Sequence, residues 1–375
     1  MPAAHPRRGL RRLATPAAAV AAVLALAGCG IEATTPAAGT PTATGTTAPP
    51  LDEVTPLADP RAWDGPVTAV PAGAAVEPVS DTGAPRLPAT VTDAQGTEVT
   101  VTDVSRVLAL DVHGTLARTV FDLGLGESLV GRDVSTQFDE ASDLPLVTQN
   151  GHDLNAEAIL SLDPTLIITD TSLGPWDVVL QMREAGIPVV VVDGDRGLDN
   201  VAALTREVAA ALGVPSRGEE LATRIEREVA AVTEQIAGVA PAAETDRLRT
   251  VFLYVRGQAG VYYLFGEDSG ADTLIDALGL YDVADEIEWG GVKPVTDEAI
   301  VAAQPELVLM MTKGLESAGG VDGLLERLPA LANTPAGEHR RFVDMADSQI
   351  LGYGPASADV LNALAVAVYA PEAVA

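Results

Sequence analysis

The sequence predicts an α/β protein made of two related α/β lobes, each with a central, mostly parallel sheet. One long α-helix joins the lobes, and a cleft lies between them. Three observations predict this fold. Strands and helices alternate from about residue 88, the alternation gives way to a long helical stretch over 199–238 and then resumes, and one segment of the first half recurs in the second. The strands are almost continuously apolar, which is typical of parallel sheets covered on both faces.

The first 28 residues have the pattern of a signal peptide. The basic stretch “PRRGLRRL” precedes the apolar stretch “AAAVAAVLALAG”, which is too short to span a membrane as a helix. The stretch ends in Leu26-Ala27-Gly28-Cys29, and Cys29 is the only cysteine of the chain. An internal disulfide and a cysteine-based metal site are therefore excluded.

Residues 29–87 are rich in Thr, Pro, Ala and Gly. Such a composition buries too little apolar surface to offset the entropy of the ordered chain. We therefore expect 29–87 to be a flexible tether. The stretch “LDEVTPLADPRAW” inside it is a candidate for packing against the folded body.

The N-terminal lobe is predicted over 88–198. The segment “ATVTDAQGTEVTVTD” indicates a hairpin, because two alternating Val/Thr runs flank a turn that contains glycine. Asn155 is the expected N-cap of one helix, and Pro164 follows its end. The predicted strands are “RVLALD”, “SLVGRD”, “TLIITD” and “IPVVVVD”, and the predicted helices are “LARTVFDLGL”, “NAEAILSLD” and “DVVLQMREAG”.

A connecting helical region is predicted over 199–247 and a C-terminal lobe over 248–375. In the connecting region, “SRGEELATRIEREVAAVTEQIAG” has helical apolar spacing, with Ser216 as the expected cap. The predicted strands of the second lobe are “LRTVFLYVRG”, “GVYYLFG”, “ELVLMM” and “RRFVDM”, and its helices are “GADTLIDALGL”, “TDEAIVAAQ”, “GGVDGLLERL” and “SADVLNALAVAVYA”.

An internal repeat relates the two lobes. The segment “LNAEAILSLDPTLII” (154–168) aligns without gaps to “VTDEAIVAAQPELVL” (295–309), and 116–125 is similar to 271–280. Helix–proline–strand units often look alike, but the shared glutamate and the shared order of elements favour duplication. The matched pairs are Glu157 with Glu298, Ile159 with Ile300, Pro164 with Pro305, and Leu166 with Leu307.

The charge of the chain argues against nucleic acid as a partner. The formal net charge is −30, and only two lysines occur, whereas nucleic-acid interfaces need basic patches. Loss of the four arginines in residues 1–28 would take this charge to −34.

The tetrapeptide that ends in Cys29 resembles the lipobox of bacterial lipoproteins. Two α/β lobes joined by one long helix, behind a lipobox and a tether, resemble the substrate-binding lipoproteins of ABC importers for iron compounds and cobalamin. This resemblance covers about 88–370. It implies an extracytoplasmic protein that is lipid-anchored at Cys29 to the cell membrane, and a permease, with its ATPase, that docks on Glu157 and Glu298. Each glutamate also suits the first turn of its helix, where the dipole favours an acid.

Two segments, “GHDLNAEAILSLDPTLIITDTSLGP” and “LYVRGQAGVYYLFG”, resemble the heme-binding, HmuT-type members of that family. The resemblance implies that His152 and Tyr254 are the two axial ligands of a heme iron, with Arg256 beside the tyrosine. Heme would be bound as the transported ligand.

The chemistry of these residues agrees with the implied roles. His152 precedes a helix in a predicted loop, and Tyr254 ends a predicted strand of the other lobe, so the two can face one cleft. Ferric iron favours an anionic oxygen donor such as a tyrosine phenolate. Arg256 lies on the same strand face as Tyr254. We expect its charge to favour the phenolate and its guanidinium to hydrogen bond the phenolate oxygen.

Other site candidates have weaker signals. Arg132 and Lys293 are candidates for binding the heme propionates, and four aromatic residues are candidates for the cleft wall or the core. The remaining histidines near the folded body, His113 and His339, are expected to be structural or surface residues. The aromatic candidates are Tyr262, Tyr263, Trp289 and Tyr353.

Three alternatives remain open at this point. A ferric siderophore or cobalamin could occupy the same fold. An enzyme lacks support from motifs, because the chain has no G-x-S-x-G, P-loop or G-x-G-x-x-G sequence, and “DGDRGLDN” (193–200) is a poor calcium loop. A lipid-anchored adhesin would not need two complete lobes. We expect a monomer without catalytic turnover, and little lobe motion, because one long helix resists a hinge.

Overall fold

The computed structural model describes residues 45–73 and 75–375. The predicted signal peptide, Cys29 and the first part of the predicted tether lie outside the described residues. In the described part, no helix has both the length and the apolar character needed to cross a membrane.

The N-terminal lobe alternates short strands and helices, preceded by one strand from an N-terminal segment. In chain order the elements are β1 (Val67–Ala69), β2 (Ala89–Thr92), β3 (Glu98–Val101), β4 (Val107–Leu110), α1 (Thr115–Val120, continued by a π-helical turn Phe121–Leu125), β5 (Thr148–Gln149), β6 (Asp153–Leu154), α2 (Ala156–Ser161), β7 (Leu166–Thr169), α3 (Trp176–Glu184) and β8 (Val189–Val191).

Two helices connect the lobes, and the C-terminal lobe follows. The elements are α4 (Val201–Ala211), α5 (Pro215–Val239), β9 (Arg249–Arg256), β10 (Val261–Phe265), α6 (Ala271–Ala277), β11 (Tyr281–Asp282), α7 (Val283–Glu286), β12 (Val292–Pro294), α8 (Asp297–Ala303), β13 (Leu307–Met311), α9 (Thr312–Ala318), α10 (Gly320–Arg327), α11 (Pro329–Ala332), α12 (Pro335–Glu338), β14 (Phe342–Met345) and α13 (Ser357–Tyr369).

The sheet of the N-terminal lobe is parallel, in the order β4-β7-β8. The predicted hairpin at 89–103 is present as β2 and β3. The predicted strand “SLVGRD” is wrong, because Leu129 and Arg132 make only isolated bridges, to Val107 and Leu146. The segment passes the edge of the sheet without joining it as a ladder.

The sheet of the C-terminal lobe has seven strands, in the order β1-β14-β13-β9-β10-β12, and β11 pairs with β9. Strands β1, β14, β13, β9 and β11 are parallel to one another, whereas β10 is antiparallel to both β9 and β12. The expected mostly parallel α/β architecture is confirmed.

Helix α5 belongs to the cores of both lobes. Its first half buries Leu221 and Ile225 in the N-terminal core, and its second half buries Val232 and Ile236 in the C-terminal core. The helix begins with Pro215 at its first position rather than after a Ser216 cap, since proline already has a helical φ and lacks the N–H that would be unpaired there. One rigid element therefore packs into both cores.

The repeat seen in the sequence is also a repeat of structure. Strands β4, β7 and β8 have the same parallel order as β9, β13 and β14. The matched helices α2 and α8 are each followed by a residue in the left-handed region, Asp163 (φ 47°) and Gln304 (φ 41°). Each of these residues immediately precedes the matched proline. The backbone leaves both helices in the same way.

The predicted flexible tether is corrected for residues 45–73 and 75–87, which are folded onto the body. Strand β1 joins the C-terminal sheet as a parallel edge strand beside β14. Leu51 is only 2% exposed and packs in the C-terminal core. Its N–H donates to the side chain of Asn362 at 2.9 Å. The segment thus completes a core that other residues have built.

The same segment then crosses to the N-terminal lobe. The backbone N–H of Val79 donates to the carbonyl of Asp122 at 2.8 Å, and the N–H of Glu77 donates to the Asp122 carboxylate at 3.0 Å. Arg86 donates from its backbone to the carbonyl of Gly213 at 2.8 Å. Composition predicted flexibility because this segment has too few apolar residues for a core of its own. Those few residues instead pack into the cores of the two lobes.

Candidate functional site

His152 lies in the tight hairpin loop between β5 and β6, at the rim of the N-terminal lobe. Gln149 pairs with Asp153, and the loop between them contains Asn150 (φ 50°) and Gly151 (φ 94°). An Asn-Gly pair favours such positive φ values, so the sequence itself specifies the turn. The His152 side chain is exposed. The helix α2 begins four residues later, at Ala156.

Tyr254 lies near the carboxyl end of β9, on the face of the sheet that carries Phe252. It is half-buried, and it pairs across the ladder with Tyr263. Its ring centroid lies 6.4 Å from that of Tyr263 and 6.1 Å from that of Phe265. These aromatic neighbours limit where the phenol can point. Because Tyr254 is held in strand β9, its hydroxyl stays at the carboxyl end of the sheet, where a cleft can form.

Arg256 lies over the ring of Tyr254 instead of hydrogen bonding its oxygen, which corrects the predicted contact. Its Cζ atom lies 4.5 Å from the ring centroid. The guanidinium donates to the carbonyl of Val255 at 2.9 Å and pairs with the Asp347 carboxylate at 3.1 Å. The positive charge predicted beside Tyr254 is therefore present, but it acts through the face of the ring.

The charges near His152 show that it lies close to the rim of the other lobe. Burial, and then the positive charge of Arg256, lowers the pKa of the His152 imidazole. The carboxylates of Asp153 and Asp347 raise this pKa, and Lys313 lowers it. Three of these four charged residues belong to the C-terminal lobe, and exposed charges are largely screened beyond about 8 Å at physiological ionic strength. The imidazole is exposed to solvent, although charged groups of both lobes act on it. Its lowered pKa keeps a nitrogen lone pair free at neutral pH.

Sequence reasoning missed Asp347 and Lys313, which lie with Arg256 at the edge of the C-terminal lobe that faces His152. Asp347 follows β14, and its carboxylate accepts the backbone N–H of Lys313 at 3.1 Å. Lys313 lies at the start of α9 and is exposed. Each residue ends a different parallel strand, and the ends of adjacent strands meet at one edge of the sheet. Only this shared strand order could have indicated their proximity to Arg256.

His113 is a second histidine of the cleft, which the sequence analysis assigned to a structural or surface role. Burial, and then the charge of Arg196, lowers the pKa of His113 to about 4, whereas Asp170 opposes this shift and His152 adds to it. His113 is therefore neutral at physiological pH. Its position after β4, at the carboxyl end of a parallel strand, was the available signal.

A buried charge cluster supports the loop that carries His113. Asp111 and Asp170 follow the adjacent strands β4 and β7, and Arg196 lies 2.5 Å from Asp170 and 3.7 Å from Asp111. Burial, and then the charge of Asp111, raises the pKa of Asp133 to about 7. A buried arginine shared by two carboxylates fixes the loops after two strands at once.

A cavity of about 450 Å³ extends between the lobes next to His113. Ala346 and Ser348, on either side of Asp347, are in its wall, so it adjoins the region between His152 and Tyr254. His152 and Tyr254 themselves do not line this cavity. Both lobes and the N-terminal segment contribute to the wall, which includes Pro71, His113, Thr115, Phe138, Ile350 and Tyr353.

The aromatic candidates occupy different places. Tyr353 is buried in the wall of that cavity, and its hydroxyl donates to the carbonyl of Gly270. Tyr263 lies beside Tyr254, whereas Tyr262 packs on the opposite face of the sheet. Only Tyr263 therefore lies beside a proposed ligand.

Arg132, Trp289 and Lys293 are not brought together with His152 and Tyr254. The Arg132 guanidinium donates to backbone carbonyls of its own lobe, including that of Leu144 at 3.2 Å. Lys293 pairs with Leu264, which pairs with Leu253, the residue before Tyr254. Successive residues of a strand point to opposite faces, so Lys293 and Tyr254 lie on opposite faces of the sheet. Its ammonium lies 5.8 Å from the Trp289 ring. Their roles at a ligand remain predictions.

Glu157 and Glu298 occupy the same position in their respective helices. Each is the second residue of its helix and is exposed. The Asn155 side chain accepts the N–H groups of residues 157 and 158 at 3.1 Å, and Thr296 accepts that of Ala299 at 3.2 Å. The capped helices present both carboxylates to solvent. The docking role remains a prediction.

Comparison with known proteins places this architecture in a family. The family described as “Periplasmic binding protein” matches residues 112–348. The chain belongs to the periplasmic binding protein family. Curated proteins give no significant match.

Solved structures of heme-binding proteins are similar over most of the chain. The heme-binding protein HmuT is 39% identical, with a TM-score of 0.78, over 83% of this chain and 99% of HmuT. An arginine-to-alanine variant of HmuT is 38% identical, with a TM-score of 0.80, over 85% of this chain and 97% of that one. The apo periplasmic heme-binding protein RhuT from Roseiflexus sp. RS-1 is 37% identical, with a TM-score of 0.64, over 72% of this chain and 99% of its own.

Proposed function

We propose that this periplasmic binding protein captures ferric heme in the cleft between its lobes and delivers it to an ABC permease. His152 from the N-terminal lobe and Tyr254 from the C-terminal lobe would be the two axial ligands of the iron. The observation that carries this proposal links Tyr254 of one lobe to His152 of the other through Arg256. The Cζ atom of Arg256 lies 4.5 Å from the centroid of the Tyr254 ring, and the charge of Arg256 lowers the pKa of His152.

The donor set suits ferric heme. An imidazole that stays neutral and a phenolate under a positive charge are ligand types that proteins use for heme iron. A pair that fills both axial positions leaves none open for chemistry, which favours carriage over catalysis. We therefore infer a carrier without turnover, acting as a monomer.

Known structures support the same ligand. HmuT, which is 39% identical, is a heme-binding protein, and RhuT is a periplasmic heme-binding protein. Alanine variants of one histidine, one tyrosine and one arginine of HmuT have been solved, and that tyrosine and arginine are two positions apart. Tyr254 and Arg256 have the same spacing.

The absorption spectrum of the purified protein with added hemin tests this function. We expect a Soret band that saturates at micromolar hemin. His152→Ala and Tyr254→Phe should each shift the bands and weaken binding, and the double variant should bind least. His339→Ala is the matched control, because this exposed histidine pairs with Asp64 at 2.7 Å, away from the cleft.

The alternative ligands, a ferric siderophore or cobalamin, predict a different result. Such a ligand would bind with no need for an axial pair, and hemin would give no Soret change at micromolar concentration. That outcome would exclude heme carriage and favour a siderophore or cobalamin carrier.

Delivery requires attachment to the membrane and contact with the permease. We infer that Cys29 carries lipid at the new N-terminus after removal of residues 1–28, so that the protein remains extracytoplasmic at the cell membrane. Release of a Cys29→Ala variant from the membrane fraction is the expected result. Glu157 and Glu298 would contact the permease, and heme uptake by variants at these residues measures that contact.

A further inference from the structure

Asp347 joins two structural elements at the cleft rim of the C-terminal lobe. One carboxylate oxygen lies 3.1 Å from Nη2 of Arg256, and the other accepts the backbone N–H of Lys313 at 3.1 Å. The residue follows β14, whereas Arg256 ends β9 and Lys313 follows β13. Its side chain is 18% exposed, so the ion pair is partly shielded from water.

Arg256 needs such a partner to stay where it lies. Its side chain is 34% exposed, and an arginine that open to solvent has many rotamers available. The contact with the ring of Tyr254, at 4.5 Å, competes with hydration. A cation–π contact at an exposed site is weak. Nη1 of the guanidinium donates to the carbonyl of Val255 at 2.9 Å, and the ion pair of Nη2 with Asp347 at 3.1 Å fixes the other end of the group over the ring.

We propose that Asp347 is a positioning residue for heme, which holds the Arg256 guanidinium over the ring of Tyr254. This inference rests on the proposed function, because it assumes that Tyr254 gives its oxygen to the heme iron. The carboxylate would not touch the heme. It would act through Arg256 by keeping a positive charge beside the negatively charged oxygen bound to ferric iron.

The sign of the effect separates positioning from a direct charge effect. The Asp347 carboxylate is itself negative and faces the same cleft. If it acted only through space, it would oppose a second negative charge on the Tyr254 oxygen. Its removal would then tighten heme binding. If it acts by holding Arg256, its removal loosens heme binding.

The test measures dissociation of hemin from the holoprotein into an excess of apomyoglobin. Asp347→Asn is the first variant, since its amide oxygen can still accept the N–H of Lys313 while the ion pair with Arg256 is lost. We expect hemin to leave roughly three- to thirtyfold faster, which converts to about 0.7–2 kcal/mol. The heme absorption bands should shift in the same direction as in Arg256→Ala, and Asp347→Glu should restore most of the retention.

The decisive comparison is a double-mutant cycle. In the Arg256→Ala background, Asp347→Asn should have no further effect on dissociation, because the residue acts through the arginine. Asp322→Asn is the matched control, since this exposed aspartate also pairs with an arginine, Arg340, at 2.7 Å. It should leave hemin dissociation unchanged.

Slower or unchanged dissociation in Asp347→Asn would overturn the inference, as would an equal acceleration with and without Arg256. These outcomes differ from failure of the proposed function. In that case His152→Ala and Tyr254→Phe would themselves leave the heme spectrum and the binding of hemin unchanged.

Discussion

At the scale of single residues, Asp282 shows how the acidic surface affects stability. It caps helix α7, and its side chain accepts the N–H of Ala284 at 2.8 Å. Burial, and then the charges of Asp285, Asp272 and Asp276, raises the pKa of Asp282 to about 7. An unfolded aspartate titrates near about 3.9. The folded protein therefore binds more protons than the unfolded chain between these pH values, and this residue makes it less stable as pH rises from about 4 to about 7.

We predict that Asp282→Asn stabilises the protein at pH 8 and has a smaller effect at pH 5. Asparagine keeps the cap and removes the buried charge. A gain of about 1 kcal/mol would raise the unfolding midpoint by roughly 2 °C, measured by thermal unfolding at both pH values. Asp143→Asn, an exposed change on the other lobe, is the control. An equal gain at both pH values would contradict this account of Asp282.

Single residues also show what the sequence could reveal about the site. The resemblance of two segments was enough to select His152, Tyr254 and Arg256. It could not show that Arg256 would lie over the ring, because its partner, Asp347, is 91 residues away in the chain. His113 was missed for a related reason, since its place in the wall of the cavity between the lobes depends on the order of the strands.

At the scale of elements, α2 and α8 are matched helices with exposed glutamates in matched positions. The sequence alignment found this match, and the two left-handed residues that follow the helices support it. Two interpretations of Glu157 and Glu298 predict different results. An acid in the first turn stabilises a helix by about 0.3–1 kcal/mol, whereas a docking residue contributes to transport.

We predict that Glu157→Ala and Glu298→Ala leave hemin binding unchanged and reduce heme uptake by cells. A loss of about 1.4 kcal/mol in docking corresponds to about tenfold weaker binding to the permease, and the double variant should be weaker still. Uptake at limiting hemin measures the effect. Glu184→Ala, an exposed change at the end of α3, is the control. Normal uptake together with a small loss of stability would contradict docking, and would show that the two glutamates only stabilise their helices through the helix dipole.

At the scale of the whole molecule, the N-terminal segment 45–87 connects with both lobes. Strand β1 extends the C-terminal sheet, and the backbone near Val79 bonds to the N-terminal lobe. The pattern of apolar residues predicted the two lobes and the long helix correctly, because each contains enough apolar residues in a clear period. It could not predict where this segment packs, because its few apolar side chains have no periodic pattern and pack against a core that other segments form.

We predict that a chain starting at residue 88 is less stable than one starting at residue 45. It would lose the burial of Leu51 and Val67, at about 1.5–3 kcal/mol each, and would expose β14 as an unpaired edge. Thermal unfolding should show a lower midpoint, and the shorter chain should aggregate more readily. In the longer chain, Leu51→Ala should reproduce part of the loss, at about 2–5 kcal/mol. Equal midpoints for the two chains would contradict a structural role for the segment.

The central claim is that one ligand from each lobe holds the iron, and a crystal structure of the heme complex tests it most directly. We predict that the iron lies between a ring nitrogen of His152 and the phenol oxygen of Tyr254, with Arg256 still over the tyrosine ring. Iron bound by His113, or heme held in the neighbouring cavity with His152 and Tyr254 both unligated, would contradict the account.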